Sequence, residues 1–144
     1  MFRQIAALPV EFTADGSLQL YLVTSRGGGR WIIPKGNPIA GLAAHEVAAQ
    51  EAFEEAGLLG PVMPVCIGTF EFERTRPFAG TTCLVDVYPM HVEKRVTKFA
   101  EQGQRKVLRC DIETALSIVT SQPLAALIER YNRQCGSIRR AVGS

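Results

Sequence analysis

With 144 residues, 47% of them hydrophobic and 21% charged, the chain has the size and composition of a single globular domain, 1–144, able to bury an ordinary core without staples. No apolar run approaches the ~20 residues of a membrane span, no export signal is legible at the N-terminus, and Cys66, Cys83, Cys110 and Cys135 lie too far apart, with only two histidines, for a zinc site. The net charge of +2 is uneven: residues 1–72 carry four basic and seven acidic side chains and residues 73–144 carry twelve and seven, a balance suited to a phosphate-rich small ligand with cations on both sides of it.

Phe2 to Phe12 reads as a strand, with Pro9 marking an edge or a bulge. Ala14-Asp15-Gly16-Ser17 is turn chemistry and Leu18 to Thr24 a second strand, so the two form a hairpin. Ser25 to Arg30 is a flexible connection. Its three consecutive glycines do not make a P-loop, because no GK[ST] follows and the next element is a strand. They let a loop bend beside a site, with Arg26 and Arg30 flanking it. Trp31 to Pro34 is that short strand, its tryptophan expected in the core. Gly36 to Gly41 is a loop, and the alanine-rich run Leu42 to Ala56 is a helix that Gly57 ends.

Val62 to Arg74 and Thr81 to Val92 alternate as a long hairpin around the bend Thr75 to Gly80, which Glu71, Glu73, Arg74 and Arg76 surround. Cys66, Cys83 and Cys110 stand in apolar strand-like surroundings, where reduced thiols act as small core residues. That fits a reducing compartment, and the cytoplasm is the expected home. Glu93 to Gln104 is a polar loop, Arg105 to Cys110 a strand, and Asp111 an N-cap for Ile112 to Val119. Gln122 to Gln134 is the final helix, with Pro123 in its first turn, and Gly136 to Ser144 is a frayed tail.

The chemistry concentrates on the first helix. Glu51, Glu54 and Glu55 stand at i, i+3 and i+4, so their carboxylates share a face and repel. No Lys or Arg occurs between Lys35 and Arg74, which makes a divalent cation the natural counter-charge; a solvated acidic face is the alternative reading of the segment by itself. On a helical wheel Ala44 and Ala48 sit beside the glutamates, whereas Leu42, Ala49, Phe53 and Ala56 lie opposite and are expected to pack on a sheet. His45 falls to the side, as a surface residue.

Residues 36–58, GNPIAGLAAHEVAAQEAFEEAGL, preceded by WIIPK, resemble the Nudix box of the Nudix hydrolase superfamily, GX5EX7REUXEEXGU with U aliphatic. Gly36, Glu51, Glu54, Glu55, Gly57 and Leu58 fall on their places, while Leu42 replaces a Glu, Gln50 an Arg and Ala52 a larger aliphatic. The first two departures remove one charge of each sign, which avoids a lone partly buried charge. The resemblance covers nearly the whole chain and implies an α+β fold, an α/β/α sandwich with a mixed sheet, one central catalytic helix and C-terminal helices. It implies metal ligation by Glu51, Glu54, Glu55 and the carbonyl of Gly36, with Mg²⁺ or Mn²⁺ as the cofactor. The implied activity is MutT-like hydrolysis of a pyrophosphate bond, with Glu54 and Glu55 in the catalytic set.

The family's general base often lies outside the box, and Glu101, in the loop before the last strand, is the candidate here. LYLVTSRGGGRWIIPKG, GTFEFERTR and GQRKVLR resemble the branch that hydrolyses diphosphoinositol and diadenosine polyphosphates. That nominates Arg26, Arg76 and Arg105, with Arg30 and Lys35 beside them, as substrate-binding residues, guanidinium being a bidentate phosphate partner. ADP-ribose or another nucleoside diphosphate derivative stays open. A second reading is a metabolite-binding sensor without turnover, favoured by Leu42, Gln50 and Ala52. A nucleic-acid substrate lacks support, because no extended basic and aromatic surface is legible. A monomer or homodimer is expected.

Overall fold

The computed structural model describes residues 2–74 and 80–143, with side chains through residue 136. In chain order the elements are β1 (Phe2–Phe12), β2 (Leu18–Thr24), β3 (Trp31–Ile32), β4 (Lys35–Gly36), α1 (Ala44–Ala56), β5 (Leu58–Leu59), β6 (Gly68–Glu73), β7 (Thr82–His91), β8 (Lys94–Arg95), β9 (Val107–Asp111), α2 (Ile112–Ile118) and α3 (Gln122–Gly143). Strand β1 is the axis of a mixed sheet. It pairs in parallel with β7, from Phe2 opposite Cys83 to Val10 opposite His91. On its other side it meets β4 at Ile5 and Ala6 and then β2 from Val10 to Phe12, both antiparallel. Strand β6 extends the sheet beyond β7, and β3 and β9 both pair with β2.

Ile5 to Val10 are buried without alternation, the mark of a strand covered on both faces. Helix α1 packs against β1, β4 and β7, while α2 and α3 pack against β2, β9 and β6, which completes the α/β/α sandwich. No helix of the described residues is long and apolar enough to cross a membrane.

Most boundaries agree with the sequence reading, and the differences have local causes. Pro9 lies in the central strand and not at an edge or a bulge: it falls between Ala6, the last residue paired with β4, and Val10, the first paired with β2, where no ladder N–H is required. The hairpin arm expected from Val62 begins as a strand only at Gly68, with a single bridge from Val62 to Met90 before it. Cys66 is therefore exposed in a loop, whereas Cys83 and Cys110 are buried as expected. The polar segment after Glu93 contains β8, which pairs with β5 directly behind α1. Helix α3 continues past Gln134 and through Gly136 to Gly143, where a frayed tail was expected.

Helix α1 is the larger correction. It starts at Ala44, with the Glu46 carboxylate accepting the Ala43 N–H at 2.8 Å, and closes at Gly57 in the left-handed conformation, φ 69°. Its buried residues are Val47, Ala48, Ala52, Glu55 and Ala56; Leu42 and Phe53, expected to face the sheet, are each 37% exposed. Bulk misleads here. Ala48 and Ala52 are small enough to let the helix axis approach β1, so the alanine seam and the glutamate flank turn inward together. Ala52→Leu is expected to cost about 1–3 kcal/mol by overpacking that seam, and Phe53→Ala distinctly less. Chemical denaturation of both variants checks this, and a larger loss at Phe53 would restore the opposite orientation of the helix.

Candidate active site

Because the alanine seam sits close to the sheet, the glutamates beside it are drawn into the crevice between α1, β4 and the loop preceding β9. Glu55 is only 1% exposed. Glu51 lies against the backbone of β4: a Cβ built on Gly36 would stand 2.3 Å from the Glu51 Oε1, so this position takes a glycine and nothing larger while Glu51 stays in place. Glu54, on the outer side, accepts a hydrogen bond from the Gln50 amide at 3.0 Å.

The pairing of β5 with β8 returns the chain toward α1, and the Glu101 N–H donates to the Glu54 carbonyl at 2.9 Å. Glu101 thereby joins the three helix glutamates. Its Oε1 accepts from Arg105 Nε at 2.7 Å. The Arg105 side chain is 9% exposed, donates through Nη1 to the Thr24 carbonyl at 3.0 Å, and stands 3.6 Å from the Glu55 Oε1. That last separation is an ion pair but too long for a hydrogen bond, so this buried Glu55 oxygen has no hydrogen-bond partner among the described residues.

Arg105, nominated from the sequence for substrate, has its guanidinium on Glu101, Thr24 and Glu55, where it supplies positive charge that the segment from 36 to 73 lacks. Thr24, which the sequence did not single out, holds this arrangement at the end of β2. Its hydroxyl accepts the Lys106 N–H at 3.0 Å while its own N–H donates to the Lys106 carbonyl.

The other nominated cations divide. Lys35 and Arg30 converge on the Phe72 ring, with Nζ and Cζ at 4.4 and 4.3 Å from its centroid. Lys35 also donates to the Gln4 side-chain oxygen at 2.8 Å, and burial pushes its pKa down. Phe72 escaped the sequence reading because its alternation within β6 reads simply as core. Arg26 is exposed in the loop between β2 and β3, and Arg76 lies outside the described residues.

Burial pushes the Glu55 carboxyl up to about 9, with the Glu51 carboxylate, as acceptor for the Glu55 proton, adding to the rise and Arg105 opposing it. Burial also raises Glu51, and the charges of Glu54 and Glu101 push it in the same direction. As the side chains stand, no three acidic, histidine or cysteine groups among the described residues converge closely enough to hold an ion. The donor set nevertheless fits a cation. An unpartnered buried carboxyl oxygen, a second carboxyl pressed on a glycine backbone, and further acids at Glu54 and Glu101 are hard oxygen donors of the kind such a cation takes.

A consequence follows for stability. In metal-free protein the folded state keeps the Glu55 proton up to about pH 9, while the unfolded chain loses it near 4.5, so the unfolded state binds fewer protons across that window. Stability is present in full below 4.5 and declines as pH rises toward 9. Millimolar Mg²⁺ is expected to raise the melting temperature at pH 8, and Glu55→Gln to abolish both the decline and the metal-induced rise. Thermal melts in EDTA and in Mg²⁺ check this; a wild-type melting temperature independent of pH and metal contradicts it.

No family model matches the sequence, and no curated protein matches it. Solved structures do. An Ap4A hydrolase of C. elegans in a binary complex superposes with TM-score 0.75 at 18% identity, over 95% of this chain and 99% of the other. A MutT protein of Methanosarcina mazei superposes with TM-score 0.67 at 21% identity, over 92% and 94%. The Nudix domain of Shewanella oneidensis NrtR, complexed with ADP ribose, superposes with TM-score 0.67 at 14% identity, over 93% and 88%. The chain has the Nudix fold over nearly its whole length.

Proposed function

We propose that the protein is a divalent-cation-dependent pyrophosphohydrolase that cleaves a phosphoanhydride in a nucleoside diphosphate-linked or polyphosphorylated small molecule. The observation that carries this reading is the buried Glu55 carboxyl with its unpartnered oxygen, beside a half-buried Glu51 that lies on the Gly36 backbone and with Glu54 and Glu101 nearby. Such a group is unstable in charged form without a cation, and its placement on this fold agrees with the sequence motif. Mg²⁺ or Mn²⁺ held by Glu51, Glu54, Glu55 and the Gly36 carbonyl would neutralise phosphate oxygens and activate a water for attack on phosphorus.

The protein's own groups do the positioning. Arg105 holds Glu101 and stands beside Glu55, restricting the rotamers of both. Glu101 keeps Oε2 outside its bond to Arg105, an oxygen suited to take the proton of an attacking water. Lys35 and Arg30, aligned on Phe72, offer positive charge to a polyphosphate, and Arg26 offers more from the exposed loop. Diadenosine polyphosphates and diphosphoinositol polyphosphates are the first substrates to test, followed by ADP-ribose. Four free cysteines among the described residues accord with a cytoplasmic home.

The test is turnover of that panel with Mg²⁺ or Mn²⁺. Hydrolysis is expected to require the metal and to fall by roughly 10²-fold or more in Glu55→Gln. Metal-dependent binding without turnover would instead identify a sensor, and turnover indifferent to Glu55 would remove the site from the reaction.

A further inference from the structure

The C-terminal end of α1 is tied to the loop that carries Glu101 by two backbone hydrogen bonds. The Val96 N–H donates to the Gly57 carbonyl at 2.8 Å, directly after the pairing of β5 with β8, and the Glu101 N–H donates to the Glu54 carbonyl at 2.9 Å. Of the four residues between these anchors, Thr97, Lys98 and Ala100 are exposed and Phe99 is half-buried. Its ring lies on Gly57: a Cβ built there would stand 2.6 Å from Phe99 Cδ1 and 3.0 Å from Cε1. We propose that Phe99 is a positioning residue, whose ring on the helix terminus holds this loop and so keeps the Glu101 carboxylate beside the helix glutamates; the inference rests on the hydrolase reading for what Glu101 does there.

The end of α1 is shaped to receive the loop. A helix leaves its last carbonyls without partners inside the helix. Here the Gly57 N–H, from the left-handed conformation at φ 69°, caps the Phe53 carbonyl, and the Glu101 N–H takes the next one, that of Glu54. Gly57 therefore serves twice: its backbone closes the helix, and its missing side chain leaves the seat for the ring. Glu54 serves twice as well. Its side chain is one of the acids of the crevice, while its carbonyl fixes the backbone of Glu101, so the loop acid is registered to the helix acids through one backbone hydrogen bond.

A single hydrogen bond of that kind contributes little net free energy, and the exposed neighbours of Phe99 offer little packing to support it. The ring supplies the apolar contact of the span. Arg105 grips the same acid from the other side, at 2.7 Å from Oε1, and can do so only while the loop backbone keeps Glu101 within reach. A proton acceptor displaced by about 1 Å can lose up to roughly 10²-fold in rate, so a ring that never meets substrate still governs turnover.

The test pairs hydrogen exchange with kinetics. In metal-free protein Phe99→Ala is expected to speed exchange of the Glu101 amide roughly tenfold while the amides of β1 and β7 keep their wild-type protection. For diadenosine tetraphosphate with Mg²⁺, or whichever member of the pyrophosphate panel is cleaved fastest, the same variant is expected to lower kcat roughly tenfold with KM little changed, and Phe99→Leu to recover most of it. In a Glu101→Gln background Phe99→Ala is expected to cost nothing further, because the group it positions is already gone. Unchanged exchange at Glu101, faster exchange spread equally over β1 and β7, or an equal loss of kcat in both backgrounds overturns the positioning role and leaves the hydrolase reading intact. Faster exchange confined to the loop in a protein that cleaves none of the panel supports the hold of Phe99 on Glu101 and removes the hydrolase reading.

Discussion

A carboxyl held out of water, on a helix face that a seam of alanines brings against a sheet, governs the rest of this molecule. Glu55 is almost fully buried and has an oxygen with no hydrogen-bond partner among the described residues, a state that costs free energy in either protonation form. Two elements make that state tolerable. The neighbouring Glu51 favours its protonated form, and Arg105 stands 3.6 Å away, anchored at the end of β2 by the Thr24 carbonyl. The unpartnered Glu55 oxygen is what supports the proposed cation site. In the proposed reading a hard divalent cation would satisfy the oxygen, offset the repulsion among Glu51, Glu54 and Glu55, and replace the Glu55 proton.

The sandwich places this strain at a useful location. Strand β1 is covered on both faces and joins α1 on one side to α2 and α3 on the other through the sheet. The short β5 and β8 pair brings Glu101 back to α1, and β4 brings the Gly36 backbone beneath Glu51. Acids contributed by one helix and one loop thus meet cations contributed by β4, the loop before β3 and the segment before β9. In the proposed reading a phosphate ligand would lie among these acids and cations.

Much of this was legible in the sequence because it rests on local pattern. The strands β1 and β2, the cap at Asp111 and the spacing of Glu51, Glu54 and Glu55 depend on alternation, turn chemistry and helical period, all of which are written in neighbouring residues. What escaped depends on contacts between distant segments. The orientation of α1 was misjudged because Phe53 outweighs alanine on a helical wheel, although close approach favours Ala48 and Ala52. The contacts of Arg105 with Thr24 and Glu55 were not legible, because both lie far from it along the chain. Phe72 is a core residue, and nothing near it in sequence shows that Lys35 and Arg30 gather on its ring. Strand β8 lies within a polar run, and only pairing with β5 makes it a strand.

The central claim is that the crevice between α1, β4 and the Glu101 loop binds a divalent cation, and the most direct measurement is paramagnetic broadening of backbone amide resonances by substoichiometric Mn²⁺. Broadening centred on Gly36, Glu51, Glu55 and Glu101, and suppressed by competing Mg²⁺, is the expected result. Broadening centred elsewhere, or none at all in folded protein, would contradict it and leave the buried carboxyl of Glu55 a feature of packing alone.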